Sequence, residues 1–322
     1  MRVVALAFAL VACGKHDDHP APAPSVAASP VGHDAAPAGA CTLSPLPLRR
    51  PAPKRLVAIG DLHGDLGGMR AALRTAGAID DHDTWVGGDL VVVQTGDVLD
   101  RGDDERQMLD LLARLEPEAR KAGGELIALV GNHELMNAAG DFRYVTSGGL
   151  TAFDGVAPGP ALPPEVPPKA RSRFSALEPG GAYAKQIARH DVIAIVGDTV
   201  FSHAGVLGDW AQHVDDANRT ARCWLDGQAG DARQPPDVLT AQDSPVWTRA
   251  YGADTADCTQ LQAALTTLGA KRMVVGHTVQ PHVSSLCDGA LWRIDVGLAK
   301  EYDGPIEVLQ VYPEAKILHG AR

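Results

Sequence analysis

From residue 55 onward, short apolar runs alternate with amphipathic stretches, and the two periodicities predict different elements. RLVAIG at 55–60, LVVVQT at 90–95 and ELIALV at 125–130 have the length and composition of buried strands. Between them, Leu66, Met69, Ala72 and Leu73 recur at helical spacing, and Met108, Leu111, Leu112 and Leu115 mark one face of a helix over 105–122. Further on, DVIAIVGDTVFSHAG at 191–205 predicts a hairpin-like pair of strands and KRMVVGHT at 271–278 another strand. LWRIDVGL and IEVLQVYP predict the last ones. Strands and helices that alternate in this way indicate an α/β architecture.

Five of these strands run directly into a cluster of glycine with Asp, His or Asn. The clusters begin at Gly60 (GDLHGD), Gly96 (GDVLDRGD), Gly131 (GNHE), Ser202 (SHAG) and Gly276 (GHT). One such cluster is ordinary turn chemistry. Five at the carboxyl ends of strands point elsewhere, because that end of an open α/β sheet is where ligands bind. Asp61, His63 and Asp65 would cost free energy if buried unpaired, so the pattern predicts a cation gathered there.

Pooled, Asp61, His63, Asp97, Asn132, His203 and His277 offer two carboxylates, an amide oxygen and three imidazoles, without a thiolate. That mixture suits Mn, Fe or Zn better than Ca, which prefers oxygen alone; of the three, Mn is the ion expected. Six ligands exceed what one four-coordinate catalytic zinc can use while keeping a position open. They suffice for two divalent ions roughly 3.5–4 Å apart sharing a carboxylate and a water. Arg101 and Arg249 are expected to grip phosphoryl oxygens. His133, beside Asn132, is expected to protonate a leaving oxygen, with Asp100 orienting it. No Gly-x-Ser-x-Gly elbow or activated cysteine stands out, so no covalent enzyme intermediate is implied. Asp65 is expected to cap a helix, and His190, His213, His282 and His319 to lie outside the site.

Before residue 54 the pattern changes in kind. Met1-Arg2 precedes the apolar run VVALAFALVA, too short for a bilayer-spanning helix but suited to a signal peptide over 1–12. Leu10-Val11-Ala12-Cys13 is similar to a bacterial lipobox. An exported chain, anchored to a membrane through lipidated Cys13 and facing the periplasm, is therefore expected. Residues 13–53 are rich in Ala and Pro and predict an extended spacer reaching on the order of 100 Å, with His16, His19 and His33 solvated. The catalytic domain then runs over 54–322. Cys41, Cys223, Cys258 and Cys287 remain for disulfides, and their spacing leaves three connectivities open. A formal charge of -11 without a Lys/Arg block argues against nucleic acid as a partner. The Pro- and Gly-rich segment 141–189 is expected to be an insertion acting as a lid or specificity loop. Its Arg143, Arg171 and Arg173 are expected to add positive potential near a phosphate.

In this order, GDLHGD, GDVLDRG, GNHE, SHAG and VVGHT resemble the blocks of the calcineurin-like metallophosphoesterases, and more narrowly the phosphoprotein phosphatase branch. Leu99 within GDVLDRG and the segment SPVWTRAYG at 244–252 are similar to the bacterial Shewanella-like phosphatases. The resemblance covers about residues 55–311 and implies a four-layer α/β/β/α sandwich with two mixed sheets. It implies a first metal on Asp61, His63 and Asp97, and a second on bridging Asp97, Asn132, His203 and His277. His133 with Asp100 matches the family's acid pair, Arg101 its phosphate arginine and Arg249 the second one. The activity implied is attack of a metal-bridging hydroxide on a phosphomonoester. A phosphorylated protein, on Ser/Thr or Tyr, is the expected substrate, with dinucleoside polyphosphates or small phosphomonoesters as alternatives. The SAPNY segment of toxin-sensitive relatives is absent, with RIDVGLAK in its place, so that sensitivity is not implied.

Overall fold

The computed structural model describes residues 41–157, 162–164, 166–229 and 235–322. The expected signal peptide, Cys13, and His16, His19 and His33 lie outside the described residues. Two mixed sheets carry the fold. In the first, β2 (Leu56–Ile59), β3 (Val91–Gln94) and β4 (Glu125–Ala128) run parallel, and β10 (Glu307–Tyr312) and β11 (Lys316–His319) extend the β2 edge antiparallel, giving the order β11-β10-β2-β3-β4. The second is ordered β1-β5-β6-β7-β9-β8. Its strands are β1 (Arg49–Arg50), β5 (Ile193–Val196), β6 (Thr199–Ser202), β7 (Arg272–Val275), β8 (Ser284–Leu286) and β9 (Leu291–Arg293).

The helices are α1 (Leu66–Thr75), α2 (Glu105–Lys121), α3 (Asn132–Ala138), α4 (Arg171–Leu177), α5 (Ala182–Ile187), α6 (Val214–Leu225) and α7 (Cys258–Thr267). α1 packs on β10 and α2 on β4, and one apolar core runs through both sheets. This is the α/β sandwich with two mixed sheets that the motifs imply. The four residues of β2 and of β5 are all buried, as continuous apolar runs in a covered sheet require. Asp65 caps α1 by accepting a hydrogen bond from the Gly68 amide at 2.9 Å. Among the described residues no helix is long and apolar enough to cross a membrane.

The end of the expected spacer is not free. Cys41 is bonded to Cys223 on α6, and Arg49–Arg50 pairs in parallel with Ile195–Val196 of β5. Residues 41–53 therefore belong to the folded unit. A two-residue strand leaves no periodicity to read, which is why composition alone suggested a linker. The second disulfide joins Cys258 to Cys287, tying the start of α7 to the turn before β9. Of the three connectivities left open, the structure has 41–223 with 258–287.

Candidate active site

The motif residues leave the strands at one end. Asp61 and His63 follow β2, Asp97 follows β3, Asn132 and His133 open α3 after β4, His203 follows β6 and His277 follows β7. Sharp local turns bring them together. His63, Asp97, Asp100, Arg101 and His277 all hold positive φ, between 42° and 68°, where side chains other than glycine are strained. Glycine permits the close approach of the loops: a Cβ on Gly131 would lie 2.6 Å from the Asp97 amide nitrogen. Glu134 locks the same contact. Its carboxylate accepts from the amides of Asp97, Val98, Leu99 and Gly131 at 2.8–3.1 Å.

Asp61, His63, Asp97, Asn132, His203 and His277 are all buried. Asp97 is central: its Oδ2 lies 3.2 Å from His203 Nε2 and 3.8 Å from His63 Nε2. His203 Nε2 is also 2.8 Å from Asn132 Oδ1 and 3.1 Å from His277 Nδ1. Asp61 joins from the far side, its Oδ2 accepting the His277 amide at 3.0 Å.

Each imidazole is held by a backbone carbonyl through one ring nitrogen. His63 Nδ1 donates to Leu99 O at 3.0 Å, His203 Nδ1 to Thr95 O at 3.0 Å, and His277 Nε2 to Trp247 O at 3.2 Å. The other nitrogen of each ring is thereby left with a bare lone pair facing the acids and the amide oxygen. Lone pairs at about 3 Å repel unless a cation lies between them, and such separations match ligands sharing a bond length near 2.1 Å. Asp61 Oδ1 is buried without a hydrogen-bond partner among the described residues, which a cation shared with His63 and Asp97 would satisfy. The donor set thus fits divalent metal, and two overlapping groups, His63–Asp97–His133 and Asp97–His203–His277, are close enough to hold one.

Electrostatics agree. Burial pushes His63 down to about 4 and His277 well below its usual range, so both rings are neutral at neutral pH, as ligands must be. Burial, with Asp295 and Asp97 nearby, drives the Asp61 carboxyl well up. Burial also opposes the charge on Asp97, but positive charge on His203 and His133 would hold it well below the ordinary carboxylate range, a part that a bound cation takes over when His203 is a neutral ligand.

His133 stands beside this cluster with different chemistry. Its Nδ1 donates to Asp100 Oδ2 at 2.6 Å, and its Nε2 lies 3.8 Å from Asp97 Oδ2. Burial works against its charge, yet Asp97 and Asp100 raise its pKa above the usual histidine value. Arg101 stacks on Tyr144, with the guanidinium carbon 4.2 Å from the ring centroid, and its Nε has no hydrogen-bond partner among the described residues. Arg249 is exposed and reaches Thr278 Oγ1 at 3.1 Å, beside His277.

The three arginines expected to add potential at a phosphate differ in their surroundings. Arg143 is exposed and paired with Asp141, and Arg171 is exposed at the start of α4. Arg173 is fully buried behind Asp100, bonded to Glu105 and Asn137. The expectation of added potential at a phosphate is therefore corrected for Arg173: its charge is spent on buried carboxylates. His190 pairs with Glu116, and His282 and His319 both face Glu307, away from the motif loops.

Sequence reasoning missed Glu134, Asn137, Glu105, Asp295, Tyr144 and Tyr302. Tyr144 lies 5.1 Å from the His133 ring, and Tyr302 lies 5.6 Å from that of His63. Only Glu134 carried a local signal, its place in GNHE.

The chain matches the family model of calcineurin-like phosphoesterases over residues 54–281. It is 40% identical to Shewanella-like protein phosphatase 2 of Arabidopsis thaliana over 295 residues, covering 80% of this chain and 75% of that one. Shewanella-like protein phosphatase 1 of Plasmodium berghei (strain Anka) is 29% identical over 255 residues, with 76% and 67% covered. Among solved structures, a cold-active protein tyrosine phosphatase shares 26% identity at a TM-score of 0.69, over 83% of this chain and 76% of that one. The ordered motifs, the two mixed sheets and these relatives agree: the chain belongs to the calcineurin-like metallophosphoesterases and is a phosphatase.

Proposed function

We propose that this phosphatase hydrolyses phosphotyrosine in proteins at a dinuclear metal centre. One observation carries the reading: three imidazoles, each held by a backbone carbonyl, turn their bare nitrogens toward Asp97 and Asn132. In our reading Asp61, His63 and Asp97 hold one divalent ion, and Asp97, Asn132, His203 and His277 hold the second, with manganese favoured. When bound, such a pair activates a water as nucleophile and neutralises charge on the phosphoryl group.

The chain's own residues do the rest. Arg101 and Arg249 bind non-bridging phosphoryl oxygens through their guanidinium groups. His133 carries its proton on Nε2 toward the leaving oxygen while Asp100 holds Nδ1 at 2.6 Å. Tyr144 and Tyr302 flank Arg101 at 4.2 and 5.8 Å, and form aromatic walls suited to a tyrosyl leaving group. The cold-active relative, described as a protein tyrosine phosphatase, supports the same choice.

The proposal extends to location: a periplasmic enzyme tethered to a membrane by lipidated Cys13. The lipobox-like LVAC supports it, as do two disulfides, which persist in oxidising compartments. Cys13→Ala should release the protein from the membrane fraction; unchanged retention would refute the anchor.

The test of function pairs metal analysis with turnover on phosphotyrosine, phosphoserine and phosphothreonine peptides, diadenosine tetraphosphate and small esters. The reading expects two metals per chain and the highest kcat/KM on phosphotyrosine. Activity on the dinucleotide alone would overturn it.

A further inference from the structure

Behind the acid pair lies a closed network of charge. Asp100, Glu105 and Arg173 are all completely buried, although lone buried charges cost several kcal/mol. Asp100 Oδ2 serves His133, while its Oδ1 takes Asn137 Nδ2 at 2.9 Å and the Arg173 guanidinium at 3.2 Å. The Asp100 amide donates to Glu105 Oε1 at 2.6 Å. Arg173 closes the ring. Its fork grips both Glu105 oxygens, its Nε and one terminal nitrogen reach Asn137 Oδ1 at 2.9 and 2.7 Å, and the other terminal nitrogen reaches Gly149 O at 2.8 Å. The rings of Phe142 and Phe153, 5.6 and 5.4 Å away, screen it from water.

Two buried carboxylates, those of Asp100 and Glu105, thus share one buried guanidinium. Asp100 is also held at positive φ, 68°, and needs support from both its amide and its carboxylate. A planar fork fixes direction as well as charge, which a lysine would not.

From these contacts we propose that Arg173, delivered by α4 of the 141–189 insertion, is a positioning residue for the general acid. It holds the Asp100 carboxylate in the plane that aims His133 at the leaving oxygen. The insertion therefore builds the rear wall of the site. The proposal rests on the reading of His133 as the acid.

Loss of proton donation slows a basic leaving group far more than a weakly basic one, whereas a merely structural role would lower all turnover alike. The experiment uses the full-length metal-loaded enzyme and compares an alkyl phosphate with p-nitrophenyl phosphate. The variants are Arg173→Met and His133→Asn. Should Arg173→Met fail to fold, the charge-balanced pair Glu105→Gln/Arg173→Met replaces it, since glutamine keeps an acceptor for the Asp100 amide. The expected result is a loss of about 10- to 100-fold in kcat on the alkyl ester and under about 3-fold on the aryl ester, with KM nearly constant. An equal loss on both esters in a variant that melts as a folded protein, while His133→Asn discriminates between them, would overturn the positioning role alone. If His133→Asn itself shows no leaving-group dependence, the acid reading fails and the role of Arg173 falls with it.

Discussion

Adding one methyl group at Gly131 should disable the site without an unfavourable backbone. Gly131 has φ −98° and ψ −179°, open to alanine, so the effect is purely one of space. The new Cβ would lie 2.6 Å from the Asp97 amide nitrogen and would overlap Asp97 Oδ1. Ordinary contact begins at 3.4 Å, so the Asp97 loop must retreat by about 0.8 Å. It cannot do so freely, because Glu134 ties Gly131 and Asp97 to one carboxylate at 2.8 and 2.9 Å. Overpacking of this kind costs about 1–3 kcal/mol, and displacement beyond about 0.5 Å spoils a metal or catalytic constellation. Gly131→Ala should therefore lower kcat/KM by about 100-fold and weaken metal binding, with a smaller loss of stability. Steady-state kinetics, metal content after dialysis and thermal melting read the three effects. Gly208→Ala is the control, since its added Cβ meets nothing within 4 Å. Full metal content and normal turnover in Gly131→Ala would refute the claim that these loops meet at a shared carboxylate.

Three further outcomes can be checked. Burial pushes Asp191 up to about 6 despite Arg222, so its contribution to stability is present below the unfolded value near 3.9 and lost as pH rises through 6. That amounts to about 3 kcal/mol, and Asp191→Asn should flatten the fall seen in urea melts between pH 4 and 7; an unchanged slope would contradict it. Tyr302→Ala should raise KM on a phosphotyrosine peptide about 3- to 10-fold and leave an alkyl phosphate unaffected, because only an aromatic group loses a ring contact. Cys41→Ser/Cys223→Ser opens a loop spanning a separation of 182 residues, and chain entropy sets the loss near 5 kcal/mol; a melting temperature within about 1 °C of wild type would count against it.

The candidate ligands were legible because two signals coincide at each: an apolar run that must be a strand, and glycine with a polar group immediately after it. Asp61, Asp97 and His203 could be placed this way with no knowledge of which strands pair. His133 was legible through its neighbour Asn132. Arg173 was not, since a lone arginine in a Pro-rich segment has no periodicity, and its partner Glu105 lies on α2 in a distant stretch. Its burial follows from tertiary contacts alone, which also explains why sequence reasoning put it at the phosphate. Tyr144 and Tyr302 are isolated aromatics in loops, and nothing local says they face Arg101. Strands β1 and β8 were missed because two or three residues hold too little pattern.

The most direct measurement is anomalous diffraction from crystals of the manganese-loaded enzyme. The account predicts two peaks roughly 3.5–4 Å apart with Asp97 between them, one touching Asp61 and His63 and the other Asn132, His203 and His277. A single peak, or ions bound away from Asp97, would contradict it.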